Sequence, residues 1–205
     1  MAPRLVVMIS GGGTNLQAII DAIAENTLHA EIALVVSNRS KAYGLERAAK
    51  NNIPTLVKLL KPYKDQGKSR VDYDVDLGNE IIAAIGGKPS LIVLAGFMHI
   101  LSPEFLQCFA PDSVINLHPA LPGCFDGAKA IERAYEAFQK DEIKHTGVMV
   151  HYCIPEVDRG KVILEQKCEI KKEDKLEDLE ARIHAIEHQL IVQGTSLALM
   201  LAHPQ

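Results

Sequence analysis

Several short constellations in the sequence hold residue types that can do chemistry. Ser10-Gly11-Gly12-Gly13-Thr14-Asn15 sets consecutive glycines between an apolar run and a helical pattern. Glycines let a backbone turn sharply and approach an anion, and the free N–H groups opening the next helix then bind phosphate. A tight turn needing positive φ is the plainer account, but consecutive glycines exceed what such a turn requires. Asn116-Leu117-His118-Pro119 ends another apolar run. Strand alternation sends Asn116 and His118 to the same side. An amide donor beside an imidazole suits stabilisation of an oxyanion in acyl transfer. Glu156-Val157-Asp158-Arg159-Gly160 adds a carboxylate, in a composition that an ordinary hairpin turn also shows. Spacing alone does not bring Asp158 to His118. If the two meet, the opposite charge favours an imidazolium.

The phosphate carrier is narrowed by what the glycine loop lacks. The dinucleotide fingerprint fails at its third glycine, where Leu16 stands, and Ser37-Asn38 replaces the acid expected at the end of the second strand. Gly67-Lys68-Ser69 looks like the tail of a P-loop, but Pro62 occupies the place of its first glycine. A phosphate monoester on a small molecule is the better reading. His184-Ala185-Ile186-Glu187-His188 matches H-x-x-E-H, and its histidines share a helix face. No Asp or Glu follows His188 to complete a zinc site. The match is read as incidental, with no metal expected.

The elements that must position these residues follow from hydrophobic spacing. Leu5 to Ile9, Ile32 to Val36, Pro54 to Val57, Leu91 to Ala95 and Val114 to Leu117 are short apolar runs separated by helical patterns at 15–24, 43–51, 71–85 and 103–108. Strands apolar throughout are covered on both faces, so the pattern predicts a Rossmann-like, mostly parallel α/β sheet with helices on both faces. Residues 58–67 read as a loop. Val148 to Cys153 and Lys161 to Ile170 leave no room for a crossover helix, which predicts an antiparallel addition at one edge. A long C-terminal helix starts near Asp174, read as an N-cap with Glu177 three residues on; its buried stripe is Leu176, Leu179, Ile183, Ile186 and Leu190. With no internal repeat or linker, residues 1–205 are expected to form one domain.

Composition excludes several classes. The chain is 47% apolar and 23% charged, which excludes a disordered chain, a collagen or a coiled-coil rod. A net charge of −4 and the absence of tryptophan argue against nucleic acid as partner. No apolar run is long enough for a membrane span. Met1-Ala2-Pro3-Arg4 leads into a strand without a signal-peptide core, and the four cysteines show no paired spacing, so reduced thiols in the cytoplasm are expected.

Taken together, these blocks resemble the phosphoribosylglycinamide formyltransferases, the glycinamide ribonucleotide transformylases of purine synthesis. Val6 to Ile20 resembles the family's phosphate-loop block and Val93 to Pro103 its folate-pocket block. Asn116-Leu117-His118-Pro119 and Glu156 to Gly160 match its catalytic asparagine, histidine and aspartate. The blocks keep the family's order and span nearly the whole chain.

The resemblance implies the formyltransferase fold and transfer of a formyl group from 10-formyltetrahydrofolate, as co-substrate, to the glycine amine of glycinamide ribonucleotide. It implies Asn116, His118 and Asp158 as catalytic residues, with Asp158 holding His118 protonated. Gly11, Gly12, Gly13, Thr14 and Asn15 would take the substrate phosphate and Glu187 the ribose hydroxyls. Arg70 and Asn116 would serve the folate, with main chain at Met98, His99, Ile100 and Leu101. The implied partners are these small molecules, with neither nucleic acid nor membrane, and a monomer or weak homodimer.

The sequence departs from the bacterial pattern at His99, where arginine is usual, at Ala120 to Asp126, and at His184, where glutamine is expected. Methionyl-tRNA formyltransferase and formyltetrahydrofolate hydrolase share the Asn-His-Asp pattern but carry a further domain. A non-enzymatic phosphate-ligand sensor would need neither His118 nor Asp158.

Overall fold

The computed structural model describes residues 2–202. Its strands are β1 (Arg4–Ile9), β2 (Glu31–Ser37), β3 (Thr55–Val57), β4 (Leu91–Leu94), β5 (Val114–His118), β6 (His145–Tyr152) and β7 (Val162–Glu169). Its helices are α1 (Thr14–Ala24), α2 (Gly44–Lys50), α3 (Lys61–Asp65), α4 (Arg70–Ile85), α5 (Pro103–Gln107), α6 (Ala130–Gln139) and α7 (Leu176–Ala202).

The strands form one seven-stranded sheet in the order β3-β2-β1-β4-β5-β6-β7. β1 pairs in parallel with both β2 and β4, and β5 continues in parallel from β4. β6 and β7 then add antiparallel, as the short spacing between them predicts. Strand order reverses between β1 and β4, and open α/β sheets bind ligands at the strand C-termini beside such a switch.

Alternation along β1 divides the core. Leu5, Val7 and Ile9 join Leu16, Ile19, Ile183 and Leu190 on the α1 and α7 face. Val6 and Met8 join Tyr73, Leu77, Ile81 and Phe105 on the α4 and α5 face. Central strands are therefore apolar on both sides.

Some local expectations need correction. The stretch 58–67 holds the short helix α3, with Pro62 in its first turn, where a missing N–H costs nothing. Helix α6 was not foreseen; Ala130, Ile131, Ala134 and Ala137 are its buried face. Asp174 does not cap α7. Its carboxylate accepts from the Lys171 amide and pairs with Arg182, while Asp178 accepts from the Lys175 amide, so the helix opens one residue later. Gly67-Lys68-Ser69 leads into α4: Ser69 and Asp72 form a reciprocal capping box, which accounts for that serine without a nucleotide.

Candidate active site

Asn116 and His118 project from the end of β5, and the connection from β6 to β7 folds Asp158 back onto them. His118 Nδ1 lies 3.5 Å from Asp158 Oδ2, and Asn116 Nδ2 donates to Asp158 Oδ1 at 3.2 Å. The Gly127 amide donates to Oδ2 at 2.8 Å. The side chains of His118 and Asp158 are 5% and 8% exposed. The three residues that the sequence singled out therefore share one buried polar cluster.

His151 completes this cluster and was missed. It faces Asn116 across the β5–β6 ladder. Its Nε2 lies 3.4 Å from Asp158 Oδ1 and 3.3 Å from Asn116 Nδ2, while Nδ1 lies 2.9 Å from the Tyr152 carbonyl. The available signal was a histidine inside the otherwise apolar run from Val148 to Cys153.

Electrostatics bear on the expectation that Asp158 holds His118 protonated. Burial pushes the His118 imidazole below its ordinary value; the Asp158 carboxylate and the Phe125 carbonyl oppose that shift without overcoming it. Burial thus works against the imidazolium that the resemblance implies. Burial also works against the Asp158 carboxylate, but hydrogen bonds from His151 and Gly127 and the two nearby imidazoles hold it below the usual range. Burial and Asp158 together push the neighbouring Cys153 thiol up, so that group stays protonated.

The loop that departs from the bacterial pattern closes over His118, whose Nε2 lies 3.2 Å from the Phe125 carbonyl. Arg133 on α6 donates to the carbonyls of Phe125 and Asp126. Arg159 pairs with the Asp126 carboxylate at 2.5 Å.

Beside the cluster lies a cavity of about 320 Å³, lined among others by Gly96, Met98, Leu101, Asn116, His118 and Asp158. Met98 and Ile100 are largely exposed, whereas the His99 side chain is turned inward and buried. The Met98 amide is already bonded to Ser10 Oγ at 2.7 Å, and Arg70 donates to the Ile100 carbonyl. Arg70 thus reaches the segment's main chain but is not among the residues lining the cavity. A larger groove of about 590 Å³ lies at the opposite edge of the sheet, around Arg4, Glu31 and Pro54, and none of the candidate catalytic or binding residues lines it.

The glycine loop follows β1 at the same sheet edge. Gly13 sits at φ +70°, where a Cβ would come 2.6 Å from the Gly44 Cα. A Cβ on Gly11 or Gly12 would meet nothing within 4 Å. The Gly11 and Gly12 carbonyls turn toward α2, accepting from the Gly44 amide at 3.0 Å and from Arg47 Nε at 2.8 Å. The amides of Gly12, Gly13, Thr14 and Asn15 have no hydrogen-bond acceptor among the described residues. Backbone donors left free at a helix N-terminus are an anion site.

Glu187, buried on α7, accepts from Asn15 Nδ2 at 3.3 Å and so stands against this loop. Burial raises its carboxyl above the ordinary range, against the nearby His184 and the Asn15 bond. His184 is exposed. Among the described residues no group of three His, Cys, Asp or Glu is placed to hold a metal ion. No described helix is long and apolar enough to cross a membrane.

Sequence and fold comparisons converge on one group of proteins. A formyl transferase domain matches residues 3–195. The chain is 52% identical over 201 residues to the phosphoribosylglycinamide formyltransferase of Schizosaccharomyces pombe, covering 95% of this chain and 96% of that protein. It is 44% identical over 214 residues to the Saccharomyces cerevisiae protein of the same name, covering 98% and 99%. Among solved structures, glycinamide ribonucleotide transformylase 1 from Symbiobacterium toebii superposes with a TM-score of 0.86 at 35% identity, covering 98% of this chain and 88% of that one. The Asn-His-Asp cluster and the glycine loop thus lie within a fold and a sequence shared along nearly the whole chain: the protein belongs to the formyl transferase family.

Proposed function

We propose that this enzyme transfers the formyl group of 10-formyltetrahydrofolate to the glycine amine of glycinamide ribonucleotide, a step of purine (IMP) synthesis, and that residues 1–205 act as one formyltransferase domain. The observation that carries this reading is the Asn116–His118–Asp158 cluster opening on a cavity at the edge that also holds the free amides of the glycine loop. High identity to proteins named for that activity supports it.

In this scheme the amides of Gly12, Gly13, Thr14 and Asn15, with Gly11 ahead of them, bind the substrate phosphate, and Glu187 accepts from ribose hydroxyls. Met98, His99, Ile100, Leu101 and Asn116 contact the folate, with Arg70 at the rim. The glycine amine attacks the formyl carbon, and the carbonyl oxygen gains negative charge. Asn116 Nδ2 donates to that oxygen, and His118 Nε2–H donates in place of its contact with Phe125. Preorganised donors of this kind lower the barrier because they need not reorient as charge develops.

The attacking amine then carries an extra proton and the folate nitrogen must gain one. Asp158, with His118, stands where it can relay that proton through water. The C–N bond to the folate breaks, and a formamide and tetrahydrofolate result. Holding both substrates in one site removes much of the entropy cost of a bimolecular step. No metal has a part in this scheme. The expected setting is the cytoplasm, the expected partners are small molecules rather than nucleic acid or membrane, and the expected assembly is a monomer or weak homodimer.

The test is a steady-state assay with purified protein, 10-formyltetrahydrofolate and glycinamide ribonucleotide. Ribonucleotide-dependent release of tetrahydrofolate is the expected outcome. Folate turnover that ignores the ribonucleotide would favour a hydrolase instead.

A further inference from the structure

The scheme above leaves one buried acid without a task. Asp74 on α4 is fully buried, and both of its oxygens are engaged. His99 Nε2 lies 2.6 Å from Oδ1, and the Ser102 amide donates to Oδ2 at 2.8 Å. The two partners bracket Ile100 and Leu101, which line the cavity beside the candidate active site. One helical turn earlier on α4, Arg70 donates to the Ile100 carbonyl. The strap from Met98 to Ser102 is thus gripped at successive points by one helix face.

We propose that Asp74, acting through His99 and Ser102, is the positioning residue that sets the folate-contacting strap. The inference rests on the formyltransferase reading. Sequence alternation and packing explain the design. Met98 and Ile100 point outward at 70% and 55% exposure, while His99 points inward with a side chain 7% exposed. The imidazole is held edge-to-face against the rings of Tyr73 at 5.3 Å and Phe97 at 6.1 Å. Ser102 caps α5, so Asp74 fixes both the middle of the strap and the start of the helix that ends it. A segment that offers main-chain groups to a ligand gains from such anchoring, because its N–H and C=O groups are aimed before the ligand arrives.

The pair predicts a split in kinetic constants. His99→Leu keeps bulk and apolar packing but removes the donor to Asp74. It should raise the KM for 10-formyltetrahydrofolate about tenfold or more, as expected when a hydrogen bond to a charged group is lost. The ribonucleotide KM should stay within about twofold, since the strap meets the glycine loop at Ser10, ahead of the free amides, while α2 holds the Gly11 and Gly12 carbonyls. His99→Gln places an amide nitrogen near the position of Nε2 and should recover most of the folate affinity. His99→Asn retains polarity but is too short to reach Asp74, and should behave like His99→Leu. It also provides the reading if the leucine variant does not fold.

Tetrahydrofolate binding by titration calorimetry, alone and without turnover, gives the second readout for every variant. Equal KM values in His99→Asn and wild type, a rise in both KM values together, or a glutamine variant as weak as the asparagine one would each overturn the positioning role. A wild-type protein that neither binds tetrahydrofolate nor turns over its formyl derivative would overturn the formyltransferase reading itself, which the variants alone cannot do.

Discussion

Asp158→Asn separates charge from shape at the centre of the site. Asp158 lies at φ +56°, a left-handed conformation that asparagine adopts as readily as aspartate, so the backbone should stay in place. What is removed is a negative charge 3.5 Å from His118 Nδ1. A unit charge at about 4 Å is worth ~1 kcal/mol in water and ~4 kcal/mol at an effective dielectric constant of ~20. Both side chains are more than nine-tenths buried, which puts the coupling well above the aqueous limit. The His118 pKa should therefore fall further when that charge is removed.

The sign is fixed by the structure. Burial already holds His118 below its ordinary value and Asp158 opposes that shift, so removing Asp158 moves the imidazole further down. A ring less able to carry positive charge stabilises an oxyanion less well, and the carboxylate is also lost from the proton path. The expected loss in kcat is ~10²–10³-fold, the scale of a removed oxyanion-hole donor. Ribonucleotide KM should hardly change. NMR titration of labelled histidines measures the pKa, with His118→Gln used to assign the resonance apart from His151. An unchanged His118 pKa would reduce Asp158 to a turn residue. A wild-type value above the ordinary one would refute the claim that burial dominates.

Other expectations can be checked with the same protein. Asn116→Ala and His118→Ala should keep the fold, seen by circular dichroism, and each lose ~10²–10³ in kcat, because both sit at a strand end where truncation removes donors more than packing. Gly12→Ala should raise ribonucleotide KM without lowering Tm, since its methyl enters open space beside free amides; Gly13→Ala should lower Tm, because it meets the Gly44 backbone at positive φ. Glu187 has its carboxyl raised by burial, so the folded state holds its proton more tightly than the unfolded chain and stability falls as pH rises through that range. Glu187→Gln should therefore raise Tm at neutral pH in calorimetry while ribonucleotide KM rises about tenfold. Chelation with EDTA should leave activity intact: Glu187 is turned toward Asn15 and His184 faces solvent, so the H-x-x-E-H residues do not converge on an ion.

What was legible in the sequence is what local pattern determines. β1 and β4 are apolar on both faces, as is β5 apart from Asn116 and His118, and that pattern specifies central parallel strands between helices before any contact is known. Alternation put Asn116 and His118 on one side, and three glycines marked a loop with free amides. The rest depends on long-range geometry. Only the fold-back of the β6–β7 connection brings Asp158 to His118, across a separation in sequence that no spacing rule spans. His151 gains meaning from the register that sets it opposite Asn116. α6 begins after a loop with left-handed residues at Phe125, Gly127 and Lys129, which breaks up the helical signal. The effect of burial on His118 was not legible, because a neighbouring charge can be guessed from a motif, whereas depth of burial cannot.

The same division between strand and loop bears on how the site works. Asn116, His118 and His151 stand on β5 and β6, where ladder hydrogen bonds hold them before substrate arrives. The groups that face them come from loops: Asp158 from the β6–β7 connection, itself held by the Gly127 amide, and the Phe125 carbonyl from the segment after β5. A carbonyl opposite His118 Nε2 occupies the position that the proposed scheme gives to the reacting oxygen. Arg133 donates to that same carbonyl and to that of Asp126, and the Arg159–Asp126 pair anchors the loop beside them. Exchange of the carbonyl for substrate oxygen in this scheme releases it from His118 while Arg133 continues to hold it. Catalysis in this scheme draws on rigid donors and one replaceable acceptor. The Asp158 charge lies beside both donors, 3.5 Å from His118 Nδ1 and 3.2 Å from Asn116 Nδ2, and borders the cavity where the scheme places the proton relay.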